Sequence, residues 1–236
     1  MKENNISLYK FDKQKFNFRE LFNKFALDNI GFGLEEIHKT DIRKLVPSEI
    51  LRTGEDAKQP FCELFYNIDD EFDGFNSDTS KIFIKENKFM DLYRELITEI
   101  KKNLFDDDYI VYQKKPTLRV HLPNNVSTGS YHRDSEYGHS KNEINFWLPL
   151  VDTKDTATIH IEDSFMSEKF KPIEVKYGEI IVFDSSLKHG TEINVENYTR
   201  VSFDFRIMKL LEYEETNKDS LVRKKKFKLG SYFEQL

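Results

Sequence analysis

Pro116 divides the chain into two rhythms, and that division most constrains its fold. Beyond it, short runs rich in Val, Ile, Phe and Thr follow a period of two, at 118–122, 143–150, 156–162, 174–177, 179–184 and 200–208. In extended chain alternate side chains point to opposite faces, so each run reads as a strand. Turn formers separate the runs, at Pro123-Asn124-Asn125, Gly138, Pro149, residues 152–155, Pro172, Gly178 and Gly190. Many short strands with no helices between them predict a β-sandwich or a closed antiparallel barrel.

Before Pro116 the period is helical. Phe16, Phe18, Leu21, Phe22, Phe25 and Ala26 recur at helical spacing up to a break at Gly31-Phe32-Gly33. A longer helix is predicted over 86–104, where Phe89, Leu92, Tyr93, Leu96, Ile97, Ile100 and Leu104 make one apolar stripe that packs on the next layer. The expected architecture is mainly β: a helical N-terminal layer on a double-stranded β-helix (jelly-roll) core. Residues 1–236 read as a single catalytic domain, with 1–115 mostly helical, 116–210 the jelly-roll and 211–236 a C-terminal tail. The run Arg223-Lys224-Lys225-Lys226 in that tail reads as a solvated face.

The formal net charge of −6 argues against a general nucleic-acid binder. No apolar run approaches the length of a membrane span, and Met1-Lys2-Glu3-Asn4-Asn5 lacks a signal-peptide pattern. Cys62 stands alone, so neither an internal disulfide nor a thiolate metal cluster forms, and a reducing cytoplasm is expected. The stretch Asp69-x-Glu71-x-Asp73-Gly74 opens like a Ca2+-binding loop, but its twelfth position is Ser80, so it reads as a solvated acidic loop.

The chemistry concentrates in four residues. His132 and Asp134 form a His-x-Asp pair, His189 follows 55 positions after the Asp, and Arg200 comes 11 positions later. Two imidazoles and a carboxylate can occupy one face of an octahedral Fe(II) and leave three positions open. Arg200 supplies a planar, always-charged fork for the carboxylate of a 2-oxo-diacid co-substrate. With 6 His and 42 acidic residues, about one His-x-acid pair arises by chance, and a second one, His160-Ile161-Glu162, is present. On a strand, residues i and i+2 share a side, so His132 and Asp134 converge while Arg133 points away. The rival pair lies only 27 residues before His189 and, with a hairpin-length connection at 166–172, is harder to bring into the same geometry.

These residues resemble the iron triad and co-substrate anchor of the Fe(II)/2-oxoglutarate dioxygenase superfamily: His132-x-Asp134, His189 and Arg200-x-Ser202. The run from Gly178 to Asp184, ahead of Leu187-Lys188-His189-Gly190, is similar to its penultimate barrel strand. Residues 116–206 look most like bacterial members in carbohydrate or aminoglycoside biosynthesis, related to the phytanoyl-CoA dioxygenases. The resemblance implies Fe(II), 2-oxoglutarate and O2 as cofactor and co-substrates, and release of succinate and CO2 as a substrate C–H bond is oxidised, by hydroxylation as the default. It implies Arg200 and Ser202 on the distal co-substrate carboxylate, with Asn145 and Arg119 as further co-substrate contacts. Tyr131, Tyr137, His139, Trp147 and Arg206 are the expected substrate contacts. Lys114, Lys115, Arg119, Arg133 and Arg206 are expected to make a basic mouth suited to a small anionic or carbohydrate substrate such as a nucleotide-sugar. A protein side-chain hydroxylase and a non-oxidative jelly-roll epimerase or binding module remain as alternatives.

Overall fold

The computed structural model describes residues 6–40, 87–124, 131–215 and 226–236. Cys62, the acidic stretch 69–74 and the basic residues 223–225 lie outside them. A seven-stranded antiparallel sheet dominates. Its strands are β1 (Ile6–Lys10), β2 (Ile110–Gln113), β3 (Thr117–His121), β4 (Ile144–Pro149), β7 (Glu179–Asp184), β9 (Arg200–Lys209) and β10 (Phe233–Gln235). They run in the order β1-β7-β4-β9-β2-β10, with β3 also paired to β9. A smaller sheet holds β6 (Phe170–Pro172), β5 (His160–Glu162) and β8 (His189–Gly190), in that order.

Both faces of the large sheet are covered, and the period-two pattern sorts its side chains between them. Toward one face point Leu118, Val120, Phe146, Leu148, Ile180, Val182, Val201, Phe203, Phe205 and Ile207. Two helices pack there, α1 (Phe18–Ile30) and α2 (Asn87–Leu104). Phe203 meets Phe18 and Phe89 edge-on at 5.2 and 5.6 Å, and Tyr93 meets Phe205 at 5.3 Å. Such aromatic contacts add to the burial that drives the layer together. The other face turns toward the small sheet. There Trp147, Ile181 and Phe183 pack with Ile159, Ile161, Val175 and Leu187. Helix α1 stops where predicted: Gly31 adopts φ +87° and its N–H returns to the carbonyls of Ala26 and Leu27. Among the described residues, no helix is long and apolar enough to cross a membrane.

The described N-terminal residues are mostly helical, and they also add β1 to the sheet alongside β7 and β2 beside β9. Of the basic run expected to be a solvated face, Lys226 is described and is exposed; after it β10 pairs with β2, and Phe227, Tyr232 and Phe233 bury against Val111 and Met208. One expected strand needs correction. Residues 174–177 are not a strand; only Val175 bridges to Thr153, and β6 forms instead just upstream, where a turn was expected.

Candidate metal centre

His132 and His189 meet through backbone before they meet through side chains. Each donates its N–H to the other's carbonyl, at 3.0 and 2.9 Å, which extends the small sheet by one bridge and sets the two imidazoles 4.7 Å apart. Gly190 permits this approach, since a Cβ there would lie 3.0 Å from the Tyr131 ring and 3.1 Å from the Tyr131 Cα. Asp134 arrives differently from the expected strand. Arg133 is extended (φ −103°, ψ 139°), and Asp134 then opens a short 3₁₀ turn, Asp134–Tyr137. The i, i+2 convergence survives because one extended residue separates the ligands.

The three side chains fit a divalent metal. Asp134 Oδ1 lies 3.7 Å from His132 Nε2 and 3.8 Å from His189 Nε2, and all three donor atoms fall within 4.8 Å of one another. Neighbouring donors on an octahedral ion with bonds of about 2.1 Å sit about 3 Å apart, so small side-chain movements close the face. The His189 tautomer is already set. Its Nδ1 donates to the Leu187 carbonyl at 3.0 Å, leaving the Nε2 lone pair for a metal. Burial draws the His189 imidazole down to about 4, with Asp134 opposing, so it is neutral at physiological pH. For Asp134 burial works against ionisation, yet Arg206 first, then His132 and His189, hold its carboxyl well below the usual range.

Asp134 is oriented from behind. Asn145 Nδ2 donates to its Oδ2 at 2.7 Å, and Arg206 donates to Oδ2 at 3.0 Å and to Oδ1 at 3.2 Å. Arg206 also reaches Asp204 Oδ2 at 3.4 Å, and Asp204 Oδ1 accepts from Arg119 at 2.6 Å. These residues share one face of β9 and its neighbours, because Arg200, Ser202, Asp204 and Arg206 alternate with the core residues of that strand. A cavity of about 510 Å3, counted to its open mouth, is lined by His132, Asn145, Trp147, His189, Thr191 and Arg200 among others. Arg200 is fully buried at the start of β9, its guanidinium 5.7 Å over the Trp147 ring.

The structure thus brings together His132, Asp134, His189, Asn145, Trp147, Arg200, Arg119 and Arg206, and places other expected residues elsewhere. His139 is not at the cavity: its Nδ1 bonds Glu143 at 2.8 Å and its ring packs on Phe227 and Tyr232. Tyr131 packs on Phe170 and donates to Glu192 at 2.5 Å, while Tyr137 stands edge-on to His132 at 4.9 Å; neither lines the cavity. Arg206 does line it, but its fork holds Asp134 instead of reaching out for substrate. Asn145 turns its amide nitrogen to Asp134, because a carboxylate offers no donor, and its Oδ1 is buried without a partner. It therefore presents an acceptor and cannot donate through that atom to a co-substrate carboxylate. Four of the five cations expected at a basic mouth pair with carboxylates: Lys114 with Glu234, Arg119 with Asp204, Arg133 with Glu162, Arg206 with Asp134. The rival pair does not converge on a metal, since Glu162 is taken by Arg133. Sequence reasoning missed Thr191 as a member of the site; its place two residues after His189 is the signal that points to it.

Fold and site together define a class: a jelly-roll scaffold carrying a two-histidine, one-carboxylate face that could hold a metal ion. Two solved structures share the scaffold. The non-heme alpha ketoglutarate dependent carbocyclase SnoK from nogalamycin biosynthesis superposes with a TM-score of 0.57 at 11% identity, over 99% of this chain and 93% of that one. The corresponding epimerase SnoN from the same biosynthesis gives 0.50 at 11%, over 98% and 93%. No family model matches the sequence. The chain is 32% identical over 203 residues, 85% of its length and 88% of the relative's, to the streptomycin biosynthesis protein StrG of Streptomyces griseus. It belongs to the family of that protein.

Proposed function

We propose that this protein is a non-haem Fe(II)- and 2-oxoglutarate-dependent oxygenase. Its substrate on this reading is a small polar, carbohydrate-like metabolite of antibiotic-type biosynthesis, oxidised at a C–H bond by hydroxylation. One observation carries the reading: the His132/Asp134/His189 face and the buried Arg200 fork line or adjoin the same cavity. Bound iron supplies the activation of O2, coupled to oxidative decarboxylation of 2-oxoglutarate.

The chain's own residues do the rest. His132, Asp134 and His189 hold the metal, and Arg206 and Asn145 keep Asp134 ionised and aimed. Arg200 takes the distal carboxylate of the co-substrate through a charge-assisted fork. Ser202, next on the same strand face, has a buried hydroxyl without a protein partner and completes that anchor. Trp147, Ile159 and Phe183 give the cavity an apolar wall that excludes water. Asn145 Oδ1 and Thr191 Oγ1, both buried and unpartnered, offer acceptors to hydroxyl or amine groups of a polyol ring. The relative's role in streptomycin biosynthesis supports a substrate of that chemistry. We place the whole of residues 1–236 in one catalytic domain, and the lone Cys62 supports a reducing cytoplasmic setting.

The test is an anaerobic titration of metal-free protein with Fe(II) and 2-oxoglutarate, read as the visible charge-transfer band of the chelate. The expected result is a band in wild type, its loss in His189→Ala, and a demand for far more 2-oxoglutarate in Arg200→Ala. Absence of the band from folded, iron-loaded wild type overturns the reading. Succinate release in the presence of sugars and aminocyclitols then identifies the substrate.

A further inference from the structure

Glu162, the acid of the second His-x-Glu pair, has no place in the proposed chemistry, yet it is fully buried. Its partner explains its position. Arg133 lies in sequence between the ligands His132 and Asp134, is also buried, and directs both terminal nitrogens at Glu162: Nη1 to Oε1, and Nη2 to Oε2 at 3.1 Å. Arg133 Nη1 also donates to the Ser186 carbonyl at 2.6 Å. Glu162 Oε1 accepts the backbone N–H of Lys188 at 2.7 Å, and Lys188 immediately precedes the third ligand. Backbone pairing repeats the link, with the Glu162 N–H donating to the Lys188 carbonyl at 2.9 Å. Phe165 covers the guanidinium, its ring centroid 4.9 Å from Cζ.

The two halves of the triad therefore meet on one buried ion pair. The single His132–His189 backbone bridge fixes where the two segments touch, but one bridge leaves them free to pivot. The Arg133 fork, rigid and two-pronged, removes that pivot by tying the residue between two ligands to the residue before the third. With the backbones pinned, side-chain movement alone closes the donor gaps of 3.7 and 3.8 Å around an ion. We propose that the Arg133–Glu162 pair is a clamp that sets the separation of the two halves of the metal site, making Arg133 and Glu162 positioning residues for the metal. This inference rests on the metal-binding reading above.

The experiment is calorimetric and spectroscopic titration of the metal-free full-length protein with Co(II), for wild type, Glu162→Gln and Arg133→Lys. Glu162→Gln is isosteric but uncharged, and Arg133→Lys keeps the charge without the fork. Both are expected to weaken Co(II) binding by about 10–100-fold, the usual cost of losing an outer partner of a metal ligand, and to alter the Co(II) visible spectrum. The 2-oxoglutarate KM at saturating metal stays within about two-fold of wild type, because Arg200 is untouched. A purely structural pair would lower the melting temperature without changing Co(II) affinity measured well below it. Should Arg133→Lys fail to fold, the isosteric Glu162→Gln carries the measurement. Affinity within about two-fold of wild type and an unchanged spectrum in a folded Glu162→Gln overturn the clamp and leave the metal site standing. A wild type that binds no Co(II) overturns the metal reading and the clamp with it.

Discussion

Replacing Arg206 by Met tests how the buried charges behind the triad are balanced. Arg206 spends two nitrogens on Asp134, at 3.0 and 3.2 Å, and a third on Gln113 and Asp204. Met keeps much of the volume and offers no donor. Asp204 retains Arg119, so the loss falls on Asp134, left buried beside two imidazoles. Breaking a buried pair by removing one partner costs about 3–5 kcal/mol. For a chain of this size each kcal/mol moves the melting temperature by about 2–4 °C, so metal-free Arg206→Met is expected to melt about 6–20 °C below wild type at pH 7. The deficit has a defined pH dependence. Burial pushes the Asp134 carboxyl up, and Arg206 foremost brings it well below its ordinary range. A carboxyl depressed in the folded state contributes fully above its unfolded value of about 3.9, and the contribution fades as pH falls toward the folded value. The gap between variant and wild type is therefore complete at neutral pH and narrows below about pH 4. A divalent cation supplies the missing charge: at about 100 times its Kd it adds about 2.7 kcal/mol and restores part of the loss. Scanning calorimetry of metal-free and Co(II)-loaded protein across this pH range reads all three effects. A metal-free variant melting within about 3 °C of wild type at pH 7 refutes the argument.

Three further outcomes follow from the same geometry. Arg200→Ala removes charge-assisted bonds worth about 1.5–3 kcal/mol and is expected to raise the 2-oxoglutarate KM about 10- to 150-fold, read from succinate production at saturating iron; an unchanged KM would place the co-substrate carboxylate elsewhere. Gly190→Ala forces a methyl against the Tyr131 backbone, costs about 1–3 kcal/mol in urea unfolding, and lowers Co(II) affinity by prising His132 from His189. Phe203→Ala opens a void among Phe18, Phe89 and Tyr93 and is expected to cost about 3–5 kcal/mol in the same unfolding assay, with metal affinity per folded molecule retained.

What the sequence disclosed depended on whether its signal was local. Helix α2 and strand β7 stood out because a stripe or an alternation persisted over enough residues to declare its period. Strand β2 did not, since Ile-Val-Tyr-Gln is buried on both faces and four residues without alternation carry no period. Strands β1 and β10 are short additions whose partners are remote in sequence. The triad was legible because metal chemistry restricts residue type and spacing. Its surroundings were not: His139 sits five residues from Asp134, yet the returning C-terminal segment packs it under Phe227 and Tyr232. Arg133 and Arg206 read alike as available cations, and only the fold reveals that each already has a carboxylate.

Strand β9 has a consequence for how the molecule is made. Its hydrogen-bonded neighbours β2, β3 and β4 all precede it in the chain. A nascent polypeptide that has not yet delivered Arg200–Lys209 holds those strands with their inward edges bare, a state prone to pairing with other chains. The strand that completes the ladder also brings Arg200, Ser202, Asp204 and Arg206. Ladder closure and arrival of these four polar side chains are thus one long-range event, and a chain that stops before it is a sticky fragment lacking that face of the cavity.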